Sequence, residues 1–363
     1  MSKAAELAAL IGSQTAQGDK NLIINGAMNV AQRGTVTGVT NGVYGGPDRY
    51  VIVENNDLVV TLSQDTDVPT GSGFLNSMKV DVTTADSSTA AGEYGFLGHR
   101  FEGQNLQRLK KGTSSAESVT LSFWVKSTIT GTYIIQLYDN DNARHISKSY
   151  TVSSSNTWEF KTLTFAGDTT GAFDDDNAHS LQVYWWLVAG STYTSGTLAT
   201  SWAGFTAANA AVGQVNAVNS TDNNFYLTGV QLEIGEVATA FEHEDFGTTL
   251  AKCQRYFYSV AKGSNLTICN ANSYSTTAVY GTIHFPVTMR SNPTSVGAAT
   301  GTNYFRFYSA ASATDFDSWS GLNDQTANGC TIYKASLSSL TAGRGGWFVT
   351  NNASAWIYFS AEL

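Results

Sequence analysis

The sequence predicts an all-β chain: an antiparallel jelly-roll or β-sandwich domain, then a second C-terminal β-sandwich domain, preceded by a short N-terminal α-helix. Three observations lead there. Only 13% of the 363 residues are charged while 12% are aromatic, and Gly, Ser, Thr and Asn fill the polar positions, the balance of twisted sheets joined by tight turns. Apolar residues alternate with polar ones along many short segments, which is the period of a strand. Helical spacing is confined to residues 1–17. The length suffices for two domains, each burying a core of its own, with boundaries expected at residues 1–20, 21–246 and 247–363.

In MSKAAELAALIGSQTAQ, Ala4, Leu7, Ala8 and Ile11 recur at i, i+3, i+4 and i+7, an apolar stripe that Gly12 weakens. A helix this short is marginal alone in water. The expectation is that it packs on copies of itself around a symmetry axis or plugs into another protein, the alternative being a frayed tail. Beyond Asn21 the pattern is strand, turn, strand. SVTLSFWVKS places Leu121, Phe123 and Val125 on one face and Ser122, Trp124 and Lys126 on the other. TYIIQLYDNDN does the same with Tyr133, Ile135 and Leu137 before an Asp139–Asn142 turn. HISKSYTV, WEFKTLTF, SLQVYWWLVAGS and FYLTGVQLEIG supply further strands, and their close spacing with Gly, Asn, Asp and Ser punctuation predicts a sandwich or jelly roll.

After a polar hinge the pattern restarts. TTAVYGTIHFPVTMRSNP reads as a strand ending at Pro286 or a bulge near it, and YFRFYSA, CTIYKASL, GWFVT and AWIYFSAEL as further short strands. The last of these is expected to run to Leu363 and tie the terminus into the sheet, so that an extension there is poorly tolerated.

Several segments resemble a known family. FYLTGVQLEIGEVATAFE resembles the last strand of the carbohydrate-binding-module type of jelly roll found in bacteriophage tail-fibre and other virion surface proteins, of the marine-phage type. AKCQRYFY resembles the start of the C-terminal domain that often follows it. The opening NLIINGAMNVAQRG, with PDRY after it, resembles the first strand of the same module. Trp158 is the position that matches the family's core tryptophan, and Ala240 stands where the family often carries proline. The resemblance implies a non-enzymatic phage virion protein of the tail-fibre kind, homotrimeric, located at the virion surface on tail or head. It would attach to another virion structural protein through the N-terminal helix and expose β domains to a host surface polysaccharide. A capsid decoration protein or head fibre without a receptor role is the rival reading. A glycan-degrading tailspike is a third, disfavoured because no regular repeat runs through the chain.

The residues themselves exclude other classes. A formal charge of −9 disfavours nucleic acid, whose binding rests on Lys and Arg neutralising phosphates. No run approaches the ~20 apolar residues that span a bilayer, and no secretory signal opens the chain, so a soluble protein made in a cytoplasm is expected. Cys253, Cys269 and Cys330 are too few and too separated for a disulfide framework or a paired-Cys zinc site and read as small buried residues. The five histidines lie in unrelated surroundings, and neither a catalytic constellation nor a cofactor motif occurs. Glu242–Asp245 reads as an acidic linker. Asp174–Asn177 and Asp139–Asn142 concentrate oxygen ligands but lack the Gly and distal Glu of a calcium loop, and they read as polar turns, so no metal site is assigned. Sugar binding needs exposed rings beside hydrogen-bonding side chains. The candidates are Trp124, with Ser122 and Lys126, Tyr138, with Gln136, and Tyr184 and Trp186, with Gln182. The same rings would serve equally in a subunit interface, where aromatics are enriched.

Overall fold

The computed structural model describes residues 20–310 and 312–363. The expected helix with Ala4, Leu7, Ala8 and Ile11 lies outside them. The chain divides into two compact units, the first ending at Asp245 and the second running from Phe246 to Leu363.

In chain order the first unit runs β1 (Val36–Val39), β2 (Val43–Tyr44), β3 (Tyr50–Glu54), β4 (Val59–Asp65), β5 (Ser77–Thr84), β6 (Tyr94–Glu102), β7 (Val119–Ser127), β8 (Gly131–Asp139), β9 (Arg144–Val152), β10 (Glu159–Phe165), β11 (His179–Ala189), α1 (Ser191–Thr194), β12 (Ala203–Gly204) and β13 (Asn224–Ile234). All pairings are antiparallel. One sheet has the order β1-β4-β5-β13-β7-β10 and the other β12-β9-β8-β11-β6-β3-β2. Their inner faces share one core, in which Leu121, Phe123 and Val125 of β7 meet Tyr133, Ile135 and Leu137 of β8 and Val183 and Trp185 of β11. Period-two alternation aims these side chains to one side.

Two expectations are corrected here. The core tryptophan is Trp185, fully buried, and not Trp158. Glu159, Lys161, Leu163 and Phe165 of β10 pair with the inward residues of β7 and Phe160 with the outward Trp124, so period two puts Trp158 on the outer face, against Tyr226. Trp158 is half-buried, and its Nε1 donates to Asp67 Oδ1 at 2.9 Å. The opening NLIINGAMNV is not a strand. Asn25 and Met28 take left-handed φ of 62° and 59°, which interrupts extension. The segment still seals the core with Leu22, Ile23 and Met28. Gly26 is required by contact, since a Cβ there would lie 2.0 Å from Val230 O.

The exit of β13 is clipped by its own last turns. Buried Glu233 accepts from Thr239 N at 2.8 Å and Thr239 Oγ1 at 2.7 Å, and Glu242 Oε2 accepts from Asn21 N at 2.8 Å. Part of the expected acidic linker is thus bonded into the first unit.

The second unit runs α2 (Phe246–Gln254), β14 (Phe257–Lys262), β15 (Thr267–Ser273), β16 (Val279–His284), β17 (Gly297–Ala299), β18 (Phe305–Ser309), β19 (Ser312–Phe316), β20 (Gly321–Thr326), β21 (Gly329–Lys334), β22 (Gly345–Thr350) and β23 (Trp356–Ser360). Its sheets have the orders β14-β23-β17 and β19-β18-β22-β15-β16-β21-β20, and they enclose a second core around Phe305, Phe307, Phe348, Ile357 and Phe359. β16 stops two residues before Pro286, whose missing N–H ends the ladder. β23 ends at Ser360, short of the expected Leu363. The residues after it are held by Ala361 N donating to Tyr256 O at 2.7 Å and by Arg290 Nε donating to Ala361 O at 2.6 Å. Cys253 and Cys330 are buried and Cys269 half-buried; burial pushes the Cys269 thiol up to about 12 and Cys330 to about 11.

Candidate functional site

The outer face of the seven-stranded sheet in the first unit carries a cleft of about 360 Å³. Cross-strand register builds its floor. Phe96 of β6 stands opposite Trp186 of β11, Gly98 opposite Tyr184, and Arg100 opposite Gln182. On the other side of β11, Tyr184 stands opposite Gln136 and Gln182 opposite Tyr138 of β8. Rings therefore stack across strands: Phe96 and Tyr184 have centroids 4.0 Å apart, and Tyr138 and Tyr184 lie 6.2 Å apart at 15°. Such contacts strengthen a sheet beyond area burial alone. A Cβ on Gly98 would lie 3.3 Å from Val51 Cγ1 and 3.9 Å from Tyr184 Cδ1, so the glycine lets these side chains close over β6.

The walls come from irregular chain. α1 brings Tyr193, which packs edge-on against Tyr94 at 5.3 Å and against Trp186 at 5.6 Å. The segment after β12 brings Phe205, perpendicular to Tyr138 at 5.3 Å and 41% exposed. Hydrogen bonds fix this segment to the sheet: Ser147 N donates to Ala199 O and Ser147 Oγ to Ala210 O, while Ile134 N donates to Gln214 Oε1.

The polar groups are amides and one guanidinium. Trp186 Nε1 donates to Gln136 Oε1 at 3.1 Å, and Gln136 Nε2 lies 3.0 Å from His145 Nδ1. Burial holds the His145 pKa below its ordinary value, which favours the neutral ring with one of its two nitrogens as acceptor. Arg100 Nε donates to Gln182 Oε1 at 3.3 Å. Asn140 is exposed at one end. Burial raises the pKa values of Tyr138, Tyr184 and Tyr193, so their hydroxyls stay uncharged near neutral pH.

The four aromatic candidates are not equivalent. Tyr138, Tyr184 and Trp186 meet in this cleft, but Trp186 is 3% and Tyr184 9% exposed, so they make its floor and leave Tyr138 as the half-buried ring at its surface. Trp124 belongs to the other sheet. It lies on β7, 5.3 Å from Phe160 and beside Phe74 at Gly229. Sequence reasoning missed Tyr94, Phe96 and Arg100, although YGFLGHRF alternates in register with them. It also missed Tyr193 and Phe205, which follow no period.

Neither Asp-rich turn forms a cation cage. Asp139 and Asp168 converge on Lys111 Nζ, at 2.5 and 3.2 Å, and Thr170 O and Gly171 O complete its oxygen shell at 3.0 and 2.6 Å. Asp176 Oδ1 accepts from Ala178 N at 2.9 Å, an Asx turn. Among the described residues no group of three or more His, Cys, Asp or Glu could hold a metal.

No family model matches the chain, and no curated protein matches it in sequence. Solved structures do. The tailspike protein 4 enzymatically active domain of bacteriophage CBA120 is 15% identical, with a TM-score of 0.33, over 60% of this chain but only 22% of that chain. The carbohydrate-binding module CBM4 is 14% identical over 58% of this chain and 98% of that chain, TM-score 0.31. TmCBM61, solved with β-1,4-galactotriose, is 10% identical over 60% of this chain and 100% of that chain, TM-score 0.29. Likeness of this extent assigns neither ligand nor activity.

Proposed function

We propose that the first unit is a non-catalytic glycan-binding module and that the chain serves as a virion surface protein of the tail-fibre kind. The observation that carries the binding reading is the cleft itself: Tyr138 and Phe205 offer ring faces and edges at its mouth, beside Gln182, Asn140 and Arg100. An apolar ring face stacks on a pyranose while planar amides and a guanidinium read hydroxyls, and pockets of this mixed kind are default ligand sites. Among the described residues the lining holds no Asp or Glu, whereas glycoside hydrolysis ordinarily needs a pair of carboxylates across the bond; this supports binding without cleavage. The virion reading is supported by the resemblance of residues 21–34, 225–242 and 251–258 to phage surface proteins. Trimerisation and attachment through residues 1–20 belong to the same proposal. Repeated copies would raise the apparent affinity of a weak site through effective concentration.

A glycan array read with the wild-type chain and with Tyr138→Ala and Phe205→Ala tests the first half. Both variants are expected to lose the wild-type signal while keeping their thermal transition. Retention of full signal by both would remove the cleft from consideration. Immunogold labelling of intact phage with an antibody to the second unit tests the second half: gold at the tail supports a receptor-binding fibre, and gold over the head replaces it with capsid decoration.

A further inference from the structure

We infer that the second unit carries a saccharide site of its own, on the outer face of its seven-stranded sheet, where a slot of about 610 Å³ opens between β15 and β16. The site does not depend on the cleft in the first unit. Strand pairing explains the slot. β15 pairs with β22 from Thr267 onward and β16 with β21 as far as His284, whereas their mutual register covers only Ala271–Ser273 against Val279–Gly281. Beyond those pairs the two strands part. Ile268, Asn270, Thr282 and His284 line the gap, with Tyr258 of the other sheet beside them, and its volume falls in the range of ordinary ligand sites.

Period two sets what flanks the slot. Trp347 stands opposite Tyr308 on one side and Asn270 on the other; two residues along, Gly345 stands opposite Asn272, Asn272 opposite Tyr280, and Tyr280 opposite Tyr333. Rings thus gather in two groups. Tyr308 and Trp347 lie 5.3 Å apart at 31°, and Tyr280 stacks on Tyr333 at 5.3 Å and 13°, with Tyr274 edge-on to Tyr280 at 5.2 Å. Trp347 is 44% and Tyr274 73% exposed. Between the groups run exposed Asn270, Asn272 and Thr282, and the face is open over Gly345, where a Cβ would meet nothing within 4 Å. β22 and β16 flank β15, two strand spacings or about 10 Å apart, about the length of two linked pyranoses. A subunit interface puts its apolar groups at the centre and its polar groups at the rim; here the amides and the hydroxyl are central and the rings flank them. That inversion fits a ligand apolar on its faces and polar at its edges, with pyranose faces on the rings and hydroxyls on the amides. The Tyr308 ring is held for this: Arg306, closed on Asp315 by bonds of 2.5 and 2.9 Å, donates to the Tyr308 hydroxyl at 3.0 Å.

The test uses the full chain in calorimetric titrations with a panel of hexose and N-acetylhexosamine oligosaccharides, both as wild type and with Tyr138→Ala and Phe205→Ala together, which removes the rings at the mouth of the first unit's cleft. The doubly substituted chain is expected to keep binding at least one member of the panel. Added to it, Trp347→Ala should weaken that binding at least about tenfold, the scale on which tryptophan anchors act, and Asn270→Ala about three- to tenfold, the loss of one hydrogen bond. Gly345→Leu keeps every ring and amide but fills the open space, so it should weaken binding as much as Trp347→Ala does. An unchanged thermal transition in these variants separates lost binding from lost fold. No binding by the doubly substituted chain would overturn the inference and leave the cleft reading standing. Binding that neither Trp347→Ala nor Gly345→Leu weakens would overturn it as well, and if Gly345→Leu instead dissociates an oligomer in sedimentation, the face is a subunit contact. Wild-type binding that the cleft substitutions leave intact and Trp347→Ala abolishes would uphold the inference and remove the cleft.

Discussion

Lys111→Met removes a cation from a buried site shared by two carboxylates. The ammonium lies 2.5 Å from Asp139 Oδ2 and 3.2 Å from Asp168 Oδ2, with the three side chains 4%, 0% and 3% exposed. Asp139 would keep three donors, the N–H groups of Asp141 and Asn142 and the Asn142 amide, but no opposite charge. Asp168 would keep Arg144, bound through two bonds of 2.7 and 3.0 Å. Leaving one buried carboxylate uncompensated costs about 3–5 kcal/mol, a large part of the roughly 5–15 kcal/mol that stabilises an ordinary domain. The neighbouring residue supplies the control. Lys110 meets Glu117 at the same 2.5 Å, but with side chains 54% and 35% exposed, so Lys110→Met should cost under about 1 kcal/mol. Urea unfolding read by hydrogen exchange of β8 and β11 peptides reports on the first unit alone. A loss below about 1 kcal/mol for Lys111→Met, or equal losses for the two variants, would refute the claim that burial rather than distance sets the strength of this pair.

The remaining predictions concern other groups. His99 is fully buried between Tyr50 and Phe101, and desolvation, then the charge of Arg49, hold its pKa well below 6.5, against an opposing bond to Ile24 O. The unfolded imidazole takes a proton below about pH 6.5 and the folded one does not, so stability should fall with decreasing pH from there by up to about 1.4 kcal/mol per unit; His99→Leu should flatten that slope in urea midpoints. Asp168 behaves by the same linkage at lower pH. Burial raises its pKa, but Arg144, the Thr170 N–H and Lys111 bring it below the ordinary value, so its contribution should persist above about pH 4 and vanish as pH falls through the depressed folded value. Gly346→Ala would put a Cβ 1.9 Å from Tyr308 O, whereas Gly345→Ala meets nothing within 4 Å; the first should cost about 1–3 kcal/mol and loosen β18 in hydrogen exchange, the second should stay within about 0.5 kcal/mol.

Alternation made the sandwich legible. Leu121, Phe123 and Val125, and Tyr133, Ile135 and Leu137, are buried at 0–1% exposure, on the face that period two assigns them. The opposite face is covered too. Ile134 and Gln136 on it are 0% and 1% exposed, because residues 190–215 lie over that face and no period marks a segment that is not a strand. Trp158 misled for a related reason, since a tryptophan just before a strand says nothing of which face it takes; the register with β7 puts it with Phe160 and Trp124 on the outer side, and register is set by the partner strand.

The covering segment is also what turns a sheet face into a cleft. Without it, Trp186 and Tyr184 would be the exposed rings that the alternation of SLQVYWWLVAGS describes. With Tyr193 and Phe205 laid beside them, those rings become a floor, and Tyr138 and Phe205 are left as the rings at the mouth. The segment is pinned at both ends, by Gly190 N to Glu93 O at 2.8 Å and by Val215 N to Thr132 O at 2.9 Å, and inside by Asn209 Oδ1, which accepts from Thr197 N at 2.9 Å. A wall held in place before the ligand arrives forfeits little ordering entropy on binding. Asn209→Ala should therefore lower glycan affinity through a wall that must be ordered anew, with the residues at the mouth unchanged; unaltered affinity in the same titrations would mean that the wall is rigid for some other reason.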